Sequence, residues 1–74
     1  MAALAGFTHR QITRKLAALG FEYLREAKGS HEIWWNPVTR HRTTIPHHSG
    51  DIAEGTLRSI LRQADLSPDQ FLDA

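Results

Sequence analysis

In the run Lys28-Gly29-Ser30-His31-Glu32-Ile33-Trp34-Trp35, a histidine follows a glycine turn and opens an aromatic stretch. Histidine has an unperturbed pKa of about 6.5, so both of its forms exist near neutrality and it suits either proton-transfer role. Lys28 can neutralise a phosphate on which charge develops. Gly29 lets a backbone approach closely, and Trp34 or Trp35 can stack a base, a contact worth about 1–3 kcal/mol. These are parts for holding a phosphodiester and moving its protons. Metal-independent cleavage of that kind uses the 2′-hydroxyl, which DNA lacks, so it selects RNA. The same run also fits an ordinary hairpin whose histidine has no role and whose indoles pack in a core.

The elements that position this run follow from patterning. Thr8 and Gln11 form a capping box, Phe7 is placed to staple onto Ile12, and Ile12, Leu16 and Leu19 make one stripe of a helix running to about Leu19. Gly20 is its expected stop, and Arg10 and Arg14 fall on a stripe facing water. Residues 21–26 form a first strand, His31–Trp35 a second and residues 40–45 a third. Residues 27–30 and 36–39 turn the chain, with Pro37 at the second position of its turn. Pro46 ends the third strand's hydrogen bonding.

Residues 47–51 form a polar connection. From about Gly55 a helix carries Leu57, Ile60, Leu61 and Ala64 on one face, with Arg58 and Arg62 on the other. Ser67 and Gln70 form a second capping box with Pro68 between them, and Leu66 and Phe71 are its staple pair.

Two amphipathic helices need a common apolar surface, and a three-strand meander provides it. The expectation is a small two-layer α+β sandwich of order α-β-β-β-α, an antiparallel three-stranded sheet with helices on one face. A chain of 74 residues makes one domain, here spanning residues 1–74 with its core at about 8–72.

Strand alternation adds a condition. His31, Ile33 and Trp35 share one face, and Glu32 and Trp34 the other. If Ile33 faces the helices, His31 does too, and a useful histidine must then sit at the strand's entrance beside Gly29. Trp34 would lie on the open face.

Composition removes several classes. Cys is absent, which excludes a disulfide framework and a thiolate metal site and suits a reducing cytoplasm. No apolar run approaches the roughly 20 residues of a membrane span, and the first six residues lack the basic and apolar regions of a signal peptide. The chain has too little core to enclose a large cofactor, and none is expected. His31, His41, His47 and His48 match no common zinc spacing, adjacent His47 and His48 point oppositely on extended backbone, and Glu32 and Asp51 form no recognisable set, so no metal is expected. Ser30 or Ser49 beside a histidine lacks a nucleophile elbow. Charge is uneven: residues 1–50 carry seven Lys/Arg against three Glu, and residues 51–74 two Arg against five acids. A basic side of this kind fits an anionic polymer.

Four motifs in order, Leu19-Gly20-Phe21, Lys28-Gly29-Ser30-His31, Ile45-Pro46-His47-His48-Ser49-Gly50 and the run from Gly55-Thr56-Leu57-Arg58 to Ala64, resemble the HicA toxins. These are the mRNA interferases of HicAB toxin–antitoxin systems, also called YcfA-like proteins. The resemblance runs from about Thr8 to Leu72. It implies a fold like the double-stranded RNA-binding domain and a ribosome-independent ribonuclease with one essential histidine, here His31. It also implies a HicB antitoxin that covers the active surface, with operator DNA reached only through that antitoxin. The histidine of the family's Pro-x-His element falls on His48, a candidate for site structure or substrate positioning together with Gly29 and Ser30. Two positions depart from the pattern: Glu54 stands where relatives often carry lysine or proline, and Asp65 where glycine or asparagine is common.

The resulting expectation is a cytoplasmic endoribonuclease toxin acting on mRNA without a cofactor. His31 serves as general acid or base, and Lys28, Arg25, Arg40, Arg42 and Trp34 bind RNA. The alternatives are a non-catalytic RNA-binding module of the same fold, or a small protein-binding adaptor using the Trp34 face and the Arg40/Arg42 tip.

Overall fold

A computed structural model describes residues 3–74; Met1 and Ala2, which begin the N-terminal segment considered above, lie outside the described residues. In chain order the elements are β1 (Phe7–Thr8), α1 (His9–Ala18), β2 (Glu22–Ala27), β3 (His31–Trp35), β4 (Arg42–Pro46), β5 (Asp51–Ile52), α2 (Glu54–Ala64) and α3 (Pro68–Leu72). The antiparallel sheet β2-β3-β4 is the predicted meander, and the fold is the expected small α+β domain. The short helix expected behind the Ser67/Gln70 capping box is α3, and the expected order is extended only by a separate two-stranded ladder, β1 with β5. No helix among the described residues is long and apolar enough to cross a membrane.

Both capping boxes form. Thr8 accepts from the Gln11 N–H while Gln11 accepts from the Thr8 N–H, and Ser67 and Gln70 repeat the pattern at α3. α2 begins without a side-chain cap, because Ala53 offers no oxygen. It ends at Asp65, held at φ 58°, ψ 43°, the left-handed conformation that glycine adopts more easily.

The core unites Leu4, Ile12, Leu16, Phe21, Ile45, Ile52, Leu57, Ile60, Leu61, Ala64 and Phe71. Each Leu, Ile or Phe side chain among them contributes about 1.5–3 kcal/mol on burial. Phe71 also meets Phe7 edge-on at 5.2 Å between ring centroids, so the short C-terminal helix seals the start of α1.

The edge of β4 is covered by α2. Gln63 Oε1 accepts from the Thr44 N–H at 2.9 Å, and the Thr43 hydroxyl donates to the Ile60 carbonyl at 2.9 Å. An open row of strand donors would otherwise invite pairing with another chain. At the opposite end, Asn36 accepts from the Val38 and Thr39 N–H groups and donates to the Leu19 carbonyl, joining the β3–β4 turn to the end of α1.

The third strand starts two residues later than expected. Arg40 has φ 71°, and its N–H donates back to Asn36 O at 2.7 Å, so the chain is still turning there.

Candidate active site on the open sheet face

Strand parity holds, but the strand faces the opposite way from the condition set on it. Glu32, not Ile33, faces the helices: it is 8% exposed, whereas His31 is exposed. Register carries this across the sheet. Glu32 pairs with Ile45 and Trp34 with Thr43, and both partners are buried beneath α2. His31, Ile33 and Trp35 pair with Pro46, Thr44 and Arg42, and so share the face turned away from the helices. Trp34 consequently leaves the open face assigned to it. It packs against the core, and its indole N–H donates to Glu32 Oε1 at 3.0 Å.

On β2 a register shift between Tyr23 and Arg25 leaves Leu24 as an extra residue, a bulge. Beyond it Arg25 stands beside Ile33 and Ala27 beside His31. The open face thus places Arg25 on β2, His31 and Trp35 on β3, and Arg42 on β4. Arg40 lies over the Trp35 ring, 5.7 Å from its centroid, a cation–π contact that presents the guanidinium at the rim of this face. Of the sequence-derived residues, His31, Arg25 and Arg42 share the open face, with Lys28 in the turn beside His31 and Arg40 and Arg42 at the Trp35 end of β3, and Trp34 is removed.

The turn orients the histidine. Gly29 has φ 74°, and a Cβ there would lie 3.6 Å from His31 Nδ1. His31 Nδ1 is 3.2 Å from the Lys28 carbonyl oxygen. A carbonyl only accepts, so Nδ1 carries the proton in that bond and Nε2 keeps its lone pair toward solvent. That is the tautomer a general base needs. Ser30 accepts from the His47 N–H at 2.6 Å, which continues the β3–β4 pairing past Pro46.

His48 lies apart from this row, on the connection after β4. Its Nδ1 contacts the Ser49 carbonyl at 2.7 Å, which again leaves Nε2 free. Together with Thr8, His9, Arg10, His47, Ser49 and Gly50 it lines an open cleft at the start of α1.

The helix side of β3 holds a cluster that the sequence did not reveal. His9 Nε2 donates to Glu32 Oε1 at 2.8 Å, His47 Nδ1 lies 3.5 Å from Oε2, and the His9 and His47 rings stack at 4.4 Å between centroids. Burial alone would raise the Glu32 pKa. The Trp34 hydrogen bond, the His9 hydrogen bond and the charges of His9 and His47 together outweigh it, and hold the carboxyl below its usual range. The missed signal was the Thr43-Thr44-Ile45 alternation on β4, which with the correct pairing sets the inward face of β3.

The family model for the HicA toxin of bacterial toxin–antitoxin systems matches residues 9–66. No curated protein matches the chain. The matched span takes in β2, β3, β4 and their turns, hence the whole open face, and stops before α3.

Proposed function

Since the chain belongs to the HicA toxin family of bacterial toxin–antitoxin systems, we propose that it is an endoribonuclease toxin that cuts mRNA with His31 and without metal. An antitoxin partner follows from family membership, and we take it to be a HicB-type protein that covers the open sheet face. The observation that carries this reading is His31 itself. It is exposed on a face it shares with Arg25 and Arg42, and its Nδ1 is held by the Lys28 carbonyl.

The chemistry follows from those positions. An RNA strand laid across the sheet meets guanidinium groups from β2 and β4 on either side of β3. Arginine is suited to this because its planar fork grips phosphate oxygens in pairs. His31 Nε2 takes the 2′-hydroxyl proton, the 2′-oxygen attacks phosphorus, and the P–O5′ bond breaks, giving a 2′,3′-cyclic phosphate and a 5′-hydroxyl end. The leaving oxygen needs a proton, for which His48, a water or the substrate phosphate is available. Trp35, stacked under Arg40, takes the base-stacking role in place of Trp34.

The test is cleavage of end-labelled RNA by wild type and His31→Ala in EDTA, with growth of cells expressing each form. Cyclic-phosphate ends from wild type, and neither cleavage nor growth arrest from His31→Ala, are expected. Loss of a positioned proton-transfer group typically costs about 10²–10⁴ in rate. Products with 5′-phosphates, activity abolished by EDTA in protein that a melt shows to be still folded, or equal toxicity of both forms would sink this mechanism. Retention of RNA without any cleavage would leave the binding-module reading in its place.

A further inference from the structure

The cluster on the helix side of β3 takes no part in that chemistry, and its donor set is that of a metal site. We propose that His9, Glu32 and His47 bind one divalent transition-metal ion of the zinc class. One ring nitrogen each from His9 and His47 and one Glu32 carboxylate oxygen all lie within 4.8 Å of one another. Zinc bonds to histidine and carboxylate are about 2.0–2.2 Å, so donors around a tetrahedral ion stand about 3.3–3.5 Å apart. The 3.5 Å between His47 Nδ1 and Glu32 Oε2 already has that spacing. The 2.8 Å between His9 Nε2 and Oε1 is a hydrogen bond, and it opens by about half an ångström when the ion replaces the Nε2 proton.

Three features separate this set from an ordinary ion pair. One histidine suffices to partner a carboxylate, yet a second imidazole converges on its other oxygen with its ring stacked on the first. The Trp34 indole N–H donates to Glu32 Oε1 at 3.0 Å, the kind of outer contact that fixes a ligating carboxylate. The ligands also come from well-anchored backbone: the first residue of α1, the central strand, and a residue whose N–H is bonded to Ser30 O. Two imidazoles and one carboxylate suit zinc, cobalt or nickel better than magnesium or calcium, which prefer oxygen ligands.

This site does not depend on the ribonuclease reading, because Glu32 and His31 project from opposite faces of β3. A bound ion ties α1 to β3 and to the end of β4, so it binds the folded chain and not the unfolded one, and raises stability.

The experiment is calorimetric titration of chelator-stripped full-length protein with ZnCl2, together with thermal melts with zinc and with EDTA. One ion per chain is expected, with Tm rising by about 10 °C or more when zinc is a hundredfold above its Kd. His47→Ala removes a ligand whose side chain is 59% exposed, and its melt in EDTA reports whether the fold is kept. His9→Gln keeps a hydrogen-bond donor to Glu32 and serves as the second variant. Each should weaken zinc binding at least about tenfold, while His31→Ala and His48→Ala leave it within a factor of about three. Absence of saturable binding, binding that survives both His47→Ala and His9→Gln, or binding lost with His31 or His48 instead would overturn the proposal.

Discussion

His31 and Glu32 are consecutive on β3 and project from opposite faces of the sheet: His31 stands exposed among arginines, and Glu32 is enclosed with His9, His47 and Trp34. One residue thus faces the substrate side of the proposed nuclease while its neighbour secures the layer behind it. Changes at the two positions should separate cleanly, with His31 affecting activity and Glu32 affecting the fold.

On the open face, Arg25→Ala and Arg42→Ala are each expected to weaken binding of single-stranded RNA. Each should also reduce the slope of log K against log salt by about 0.7, the contribution of one neutralised phosphate. Arg58, on α2 and paired with Glu54 at 3.1 Å, is the control. Salt titrations of all three variants decide it, and an equal effect from Arg58→Ala would mean that the sheet face is not the RNA surface.

Behind the sheet, Glu32 predicts an acid dependence of stability in chelator-treated protein. Its carboxyl is held below its usual range in the folded state. It therefore contributes stability that is fully present above the unfolded value of about 4.3, and lost as pH falls through the folded value. Urea melts from neutrality down to about pH 3 should show a shallower acid decline for Glu32→Gln than for wild type. Parallel acid limbs for the two proteins would contradict the assignment.

Two residues with side chains hold left-handed backbone, Arg40 at φ 71° and Asp65 at φ 58°. Asp65→Gly should stabilise by about 0.5–1 kcal/mol in denaturant melts and leave RNA binding unchanged. Arg40→Gly relieves similar strain but removes the cation held over Trp35, so its stability should rise while its RNA affinity falls. A gain in both properties would show that Arg40 makes no useful contact with RNA.

Phe71 lies beyond the matched residues 9–66, yet it is fully buried against Phe7. Phe71→Ala should cost about 3–5 kcal/mol, a large share of the about 4–11 kcal/mol expected for a domain this size. Denaturant melts check it. A cost below about 1 kcal/mol would make α3 a dispensable tail.

Sequence alone was enough for the helices, the two capping boxes, the three-stranded meander and the Gly-Ser-His turn, though not for the β1–β5 ladder. Each of these depends on residues within a few positions of one another: Thr8 with Gln11, Ser67 with Gln70, Gly29 ahead of His31. It was also enough to show that His31, Ile33 and Trp35 share a face, since alternation is a local property of a strand. Tertiary structure decided which face that is. Pairing of Glu32 with Ile45 and of Trp34 with Thr43 turns those residues under α2, and the choice depends on contacts between separate elements of the chain. The polar Glu32 gave no inward signal, because what makes its burial tolerable, His9 and the Trp34 indole N–H, arrives only when α1 docks. The same long-range packing turned His31, the entrance residue of β3, onto the open face that Arg25 and Arg42 share, and assembled His9, Glu32 and His47, whose separations in the chain show no metal-binding pattern.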